Sequence, residues 1–464
     1  MMANRYDDVA YELPDFGRGV LRALESAGYE AWVVGGWVRD ALRGAPSHDV
    51  DVTTSAHWQD AERVLSAAGY EVHRTGTAHG TITAVADGEP VEVTTYRVEG
   101  DYSDHRHPDE VRFVDDIRLD LARRDFTVNA IAYHPERGIL DPFDGRGDLR
   151  RGVIRAVGDP RRRFEEDALR VLRAVRFACR LGFDIEPATQ RALVECADGL
   201  DDIASERIGQ EMDAMVRTGR IGWALMAEPE VLGVAIPELR AMRGFDQRSP
   251  YHVYDVLEHT AHVCRAVEEF TGGMASPELR WAALLHDVAK PVTFTVGPDG
   301  RGHFFGHPKV GAPMCEKIMR RLALPSDLVA STRTLVRLHD HYVKPTMRSV
   351  RRTLLKFDNA CPGRAEALTF ALLDLKRADA VSKVWSAASY AVELDKVTLV
   401  LRKAIAEHEV FRMGDLAVSG RDVMEATGID PGPGVGMILR ELLLSVVNGD
   451  LPNDREVLLR SLRP

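Results

Sequence analysis

From Tyr29 to about Gly145 the apolar positions recur with a short period. EAWVVGG, HDVDVTT, GTITAVAD and PVEVTTYR each alternate or cluster β-branched residues between glycine turns, which is the pattern of sheet strands. After DPFDGRGDL the period lengthens, and Phe164 to Leu181 and Asp202 to Thr218 carry helical spacing with almost no strand signal. A third block runs from near Tyr251 to about Ser389. It is helical and rich in histidine, with the insert TVGPDGRGHFFGHPKVG reading as a loop or hairpin. The remainder to Pro464 is helical with one break at DPGPGVG. The pattern predicts an α+β multidomain chain. A head with a mixed sheet and helices spans 1–150, an all-α neck 151–245, a histidine-rich helical domain 246–390 and a helical tail 391–464.

Composition narrows the class. With 464 residues, 45% hydrophobic and 28% charged, the chain can bury several cores, which excludes disorder and fibrous repeats. No apolar run reaches the ~18 residues of a membrane span, and the acidic N-terminus lacks a signal-peptide core, so a cytoplasmic protein with no membrane partner is expected. The five cysteines are scattered and unpaired in spacing, against a disulfide framework or a thiolate zinc site. A net charge of -11 argues against coating nucleic acid non-specifically. That average hides segregation. Gly147 to Arg180 holds ten Arg against five Asp or Glu, and Arg333 to Lys356 holds seven Lys or Arg against one Asp. The second stretch reads as a contact to phosphate, of a nucleic acid or of a hydrolysed substrate.

In VVGGWVRDAL an apolar strand runs through Gly35 and Gly36 into a helical pattern bearing Arg39. Glycines there let backbone N–H groups approach a phosphate at a helix start, although a plain tight turn has the same sequence. Asp49 and Asp51 follow in HDVDVTT. Two apart on a β-like segment, their carboxylates share a face and repel unless a cation lies between them, and hard oxygen ligands suit Mg²⁺. Glu92 in PVEVTTYR is the third carboxylate if a neighbouring strand brings it alongside, and otherwise a surface residue.

G-G-x-V-R-D followed by D-x-D resembles the catalytic head of the polymerase-β nucleotidyltransferase superfamily, in particular the class II tRNA nucleotidyltransferase (CCA-adding) and bacterial poly(A) polymerase family. DLARRDFTVNAIA matches that family's second signature. The resemblance implies that Arg123, Arg124, Asp125 and Asn129 contact the incoming nucleotide's ribose and triphosphate. In FEEDALR, Glu166, Asp167 and Arg170 have helical spacing that sets their heads on one face, as plain ion pairs also would. The resemblance implies that this element reads the base. Arg173, Arg176 and Arg180 continue the series, expected to face phosphate opposite an apolar stripe. Arg207 and Glu211 in SERIGQEMDAM are expected to brace the neck as an i, i+4 pair. The loop VEGDYSDHRHPDEVRFVDDI, retained in relatives that add the terminal A, favours full CCA or A addition.

His259, His286, Asp287, His307, His339 and Asp379 recur in the order H…HD…H…H…D and resemble the HD phosphohydrolase superfamily. That implies one or two divalent metals, with Mn, Ni, Co, Fe or Zn suited to mixed N/O ligation. Some members use such a region only to hold tRNA. PGPGVG reads either as a helix-start turn or as a backbone contact to tRNA.

The expected activity is template-independent addition of CCA, or its terminal A, to the tRNA 3′ acceptor end from CTP and ATP, with Mg²⁺ at Asp49 and Asp51. The alternatives are a poly(A) polymerase of the same family, a protein uridylyltransferase or (p)ppGpp synthetase/hydrolase, and an HD phosphohydrolase or RNA-binding protein with an idle head.

Overall fold

The computed structural model describes residues 11–47, 49–100, 111–250, 253–383 and 388–462. It divides into two compact units, Met1–Glu211 and Met212–Pro464.

In the first unit, β1 (Ala31–Val34), β2 (Asp51–Thr54), β3 (Glu71–Gly76), β4 (Thr81–Ala86), β5 (Glu89–Thr95), β6 (Ala132–His134) and β7 (Gly138–Leu140) form one mixed sheet. Its order is β3-β4-β5-β2-β1-β6-β7, antiparallel throughout except where β2 runs parallel to β5. β1 is apolar at every position and fully buried because it lies mid-sheet between β2 and β6. β4 and β5 alternate. Ile82, Ala84 and Ala86 are buried with Val91, Val93 and Thr95, and helices Asp15–Ser26 and Trp58–Ala67 pack against these strands.

The opposite face carries the polar side chains. Register pairs Asp51 with Glu92 and Val52 with Val93, so the period of two sets both carboxylates on one side and both valines on the other. Toward β1 the same face turns apolar, where Trp32, Val34, Tyr96, Ile117, Leu121 and Ala132 form a core. Helix Ile117–Ala122 contributes to it and brings the buried Asp120, which accepts from Thr53 Oγ1 at 3.2 Å.

One expected element differs. The helical run from Phe164 to Leu181 is broken into helices Pro160–Glu166 and Leu169–Leu181, with Asp167 extended at φ -141, ψ 103. The Asp167 carboxylate accepts the Leu169 N–H at 3.1 Å. Such local side-chain bonding competes with helix continuation.

The described part of the second unit is almost entirely helical. Helix Val256–Thr271 begins with a capping box formed by Asp255 and Glu258. The Gly/Pro/aromatic insert is a hairpin pairing Thr295–Val296 with Gly302–His303. PGPGVG opens helix Pro433–Asn448 with Pro433 in the first turn, and that helix joins a core with Leu416, Val418 and Val423. Among the described residues no helix is long and apolar enough to cross a membrane, and the five cysteines are free.

Candidate functional sites

Gly35 ends β1 at φ 73, a conformation that favours glycine, and a Cβ there would lie 3.3 Å from both Asp51 Oδ2 and Arg124 Nη1. It opens a cavity of about 270 Å³. The lining includes Gly36, Arg39, Asp49, Asp51, Arg124, Asp125, Asn129, Arg173 and Arg176, all named from sequence. One wall is acidic. Asp49 is exposed just before β2, and Glu92 stands beside Asp51 in register without lining the cavity. Burial first, then the Asp49 and Glu92 charges, push the Asp51 carboxyl up to about 7, with Arg124 opposing. Three oxygen-donor carboxylates that repel when ionised fit a hard divalent cation.

The facing wall is cationic. Arg124 is 3.6 Å from Asp120, and its buried Nε has no hydrogen-bond partner. Arg39 is fixed by Asp40, whose two oxygens accept from Nε and Nη2 at 2.9 and 2.8 Å, and by Asn129 Oδ1 at 2.8 Å. Asn129 Nδ2 donates to Asp125 at 3.1 Å, and Arg173 donates to Asp125 Oδ2 through Nε and Nη2 at 3.0 and 2.7 Å. Glu211 then joins Arg173, at 3.6 Å, to Arg176. Burial opposes charge on Asp125, but Arg173 and Asn129 overcome it and hold the carboxyl at about 2. The Phe177 ring lies under Arg39, Arg173 and Arg176 at 5.4, 5.5 and 4.3 Å.

The RRDFTVNA turn is held in place by a close approach. Thr127 Oγ1 donates to buried Asp148 at 2.7 Å, and a Cβ on Gly145 would lie 2.1 Å from Thr127 O.

Several sequence expectations change. Arg123 does not line the cavity, because buried Asp120 and Glu99 take its guanidinium at 2.8 and 3.2 Å. Glu166 and Arg170 meet at 2.8 Å across the helix break, and Arg170 also donates to the carbonyls of Arg163 and Arg123. Asp167 turns instead toward Arg207 at 3.5 Å. Arg207 and Glu211 do not pair with each other, since the extended Asp167 draws one and the arginine face of helix Leu169–Leu181 the other. That face is therefore mostly matched by carboxylates rather than left open to phosphate. Asp40, Ser47 and Phe177 line the cavity without having been selected as site residues, and Arg180 of the arginine series lines it with them. Asp40 sat beside Arg39, whereas nothing in the sequence marked Ser47 or Phe177. Residues 101–110, half of the loop after Arg97, lie outside the described residues.

In the second unit, six side chains converge in two groups. His259, His286 and Asp379 form one, and Asp287, His307 and His339 the other, each with ligand atoms within 4.8 Å of one another. All four imidazoles direct Nδ1 at a backbone carbonyl: His259 at Ser382 O (3.4 Å), His286 at Ala283 O (2.9 Å), His307 at Phe304 O (2.9 Å) and His339 at Val336 O (2.8 Å). A carbonyl only accepts, so each Nδ1 donates outward and each Nε2 is turned inward, that of His259 lying 3.1 Å from Asp379 Oδ1. His307 Nε2 and His339 Nε2 face each other at 3.0 Å, and His286 Nε2 has no hydrogen-bond partner. Asp287 Oδ2 forms an ion pair with Lys290 at 2.7 Å but has no aligned hydrogen bond. Converging imidazole Nε2 atoms and carboxylates fit a transition metal.

Similarity to known proteins runs the length of the chain. Family matches are the Poly A polymerase head domain over residues 31–155, the "Probable RNA and SrmB- binding site of polymerase A" over 182–242, the HD domain over 251–383 and tRNA nucleotidyltransferase domain 2 over 376–462. The chain is 32% identical over 445 residues to the CCA-adding enzyme of Limosilactobacillus reuteri, covering 95% of this chain and 94% of that one. It is also 32% identical to the CCA-adding enzyme of Geobacillus stearothermophilus, with 94% of each chain covered. A solved structure of the Bacillus stearothermophilus CCA-adding enzyme in complex with CTP matches with TM-score 0.71 and 28% identity, covering 97% of this chain and 96% of that one.

Proposed function

The chain belongs to the CCA-adding enzyme family, and from that premise we propose that it builds or repairs the 3′-terminal CCA of tRNA from CTP and ATP. The observation that carries this is the cavity of the first unit, where carboxylates for a divalent metal face a fixed set of guanidinium groups. A bound divalent metal, for which Mg²⁺ suits the donors, supplies activation of the tRNA 3′-hydroxyl and charge neutralisation on the triphosphate. Asp49 and Asp51 hold it, with Glu92 beside them. Gly36 offers its main chain to the triphosphate, and Arg124, with an unpartnered Nε, stabilises phosphate charge. Arg39, Asn129, Asp125 and Arg173 brace one another, so the wall meeting the nucleotide needs little reorganisation. Base selection is assigned to Asp167 and Arg170, one helical turn from Arg173. In that role Arg170 exchanges Glu166 and two carbonyl acceptors for the edge of the base.

Incubation with tRNA lacking CCA, ending in C and ending in CC, with CTP and ATP separately and together, tests the reading. Stepwise completion to CCA is expected. Long A tails from ATP alone on arbitrary RNA would identify a poly(A) polymerase instead. Metal use should also depend on pH in a defined direction. As pH falls through about 7 the metal-free Asp51 carboxyl takes up a proton that the metal must displace. The Mg²⁺ concentration for half-maximal CMP incorporation should then rise by up to about tenfold per pH unit. A requirement that stays constant from about pH 6 to 8 would contradict this proton competition.

For the second unit we propose a transition metal held by His259, His286, Asp287 and Asp379, with His307 and His339 completing the pocket, and a metal-dependent phosphohydrolase activity there. What supports it is the shared orientation of the four imidazoles, each anchored through Nδ1 by a main-chain carbonyl with Nε2 turned inward.

A further inference from the structure

Asp287 is shared between the two histidine groups of the second unit. Its Oδ2 faces the first group, 3.1 Å from His286 Nε2 and 3.6 Å from His259 Nε2. Its Oδ1 faces the second, 3.3 Å from His307 Nε2 and 3.8 Å from His339 Nε2. The two oxygens of one carboxylate thus serve two separate sets of donors. Asp379 closes the first set, with Oδ1 3.1 Å from His259 Nε2. The second set has no carboxylate of its own among the six residues named from sequence.

Asp340 stands where that carboxylate belongs. It follows His339 in LVRLHDHY, just past the end of helix Ser326–Leu338, and its oxygens lie 3.5 Å from His307 Nε2 and 3.7 Å from His339 Nε2. His341, the next residue, instead meets Lys356 at 3.1 Å. The separations at Asp340 are too long for hydrogen bonds, which extend to about 3.2 Å. They suit donors that share an ion, since atoms each about 2.1 Å from one metal stand roughly 3.0–3.4 Å apart. His307 Nε2 and His339 Nε2 are already 3.0 Å apart. Charge points the same way. Lys290 holds Asp287 at 2.7 Å and Lys383 holds Asp379 at 2.6 Å, whereas no Lys or Arg pairs with Asp340 among the described residues. A cation bound between Asp340 and the two imidazoles supplies that missing charge, and the exposed Asp340 side chain leaves its flank open to solvent.

We propose that Asp340 is a seventh ligand of this centre and completes a second divalent-metal position with Asp287 Oδ1, His307 and His339. Each position then offers two imidazoles and two carboxylates, a donor set for Mn, Fe, Co, Ni or Zn, and Asp287 bridges them. The proposal rests on the reading that this unit holds a transition metal.

The test uses full-length protein carrying D51A, which removes the central metal ligand of the first unit, so that the ions counted belong to the second. After treatment with a chelator, Mn²⁺ is titrated in by equilibrium dialysis and the electron paramagnetic resonance spectrum is recorded. Two equivalents should bind, with the exchange-coupled spectrum of a carboxylate-bridged pair. In D51A/D340A the second equivalent should bind at least about a hundredfold more weakly, because even groups one step removed from a metal contribute about ten- to a hundredfold. The first equivalent should stay within a few-fold, and the spectrum should become that of an isolated ion. D51A/D340N, which keeps the size of the side chain but not its charge, should behave like D51A/D340A. Two equivalents bound with unchanged affinity in D51A/D340A would overturn the proposal, as would retention of the coupled pair in D51A/D340N. A single equivalent in D51A, indifferent to D340A, would overturn it while leaving the metal reading intact. No bound Mn²⁺ in D51A would sink that reading as well.

Discussion

Replacing Asp51 by alanine should lower CMP and AMP incorporation at least about a thousandfold while the first unit stays folded. Asp51 sits at the meeting point of three carboxylates on one sheet face, directly opposite Glu92 in the parallel register. Burial first, and then the Asp49 and Glu92 charges, raise its carboxyl, so ionising it without a cation is opposed. Removing it therefore relieves repulsion and should not lower thermal stability, whereas a metal bridge to the nucleotide loses a central ligand. The reciprocal change, His286→Ala, should leave incorporation intact and abolish metal-dependent release of phosphate from a phosphomonoester or a 2′,3′-cyclic nucleotide. Incorporation within a few-fold of wild type in D51A would place the chemistry elsewhere. Phosphate release that is indifferent to H286A would remove the phosphohydrolase reading.

Asp125→Ala should act through stability as well as turnover. Asp125 is buried and holds Arg173 through two hydrogen bonds, so its loss leaves that partly exposed guanidinium with Glu211 alone, at 3.6 Å, and Asn129 without its acceptor, a change that costs about 1–3 kcal/mol. For a unit of this size that lowers Tm by roughly 5 °C. The folded-state carboxyl sits at about 2, below its ordinary 3.8, so the stabilisation is complete above about pH 4 and fades as pH falls toward 2. Urea unfolding should separate wild type from variant at pH 7 and bring them together near the acid end of that window. At temperatures where the variant is folded, incorporation should fall about a hundredfold, because Arg173 is no longer fixed. A variant as stable as wild type at pH 7 would mean that Glu211 alone satisfies Arg173.

The parts of the fold written in strong local patterns were legible in the sequence. β1, β2, β4 and β5 each showed in a cluster or alternation of β-branched residues. β3 did not, because as an edge strand it pairs only with β4 and keeps mostly exposed polar side chains. β6 and β7, at three residues each, are too short to show a period. In the site, the Asp49 and Asp51 pair was legible from residue type and spacing and Arg124 from the family resemblance, and all three line one cavity. Spacing along one helix could not foresee that Asp167 leaves helical conformation, or that Glu211 pairs with Arg173 and Arg176 rather than with Arg207. Those partners come from distant segments, and only the folded chain reveals which carboxylate claims which arginine. Phe177 was hidden for a related reason, since an aromatic residue in an amphipathic helix looks like core until three guanidinium groups close over it.

The run from Asp40 through Arg39, Asn129, Asp125, Arg173 and Glu211 to Arg176 crosses four segments that are far apart in the sequence, and each link depends on the one before it for its geometry. Such a run responds to mutation as one object. Losses at any two of its members should add to much less than their sum, because the first already frees the second. Sequence change along it is then confined to concerted exchange. A residue can be replaced only together with its partners, and a nucleotide-binding wall assembled this way drifts slowly even where no member touches the substrate.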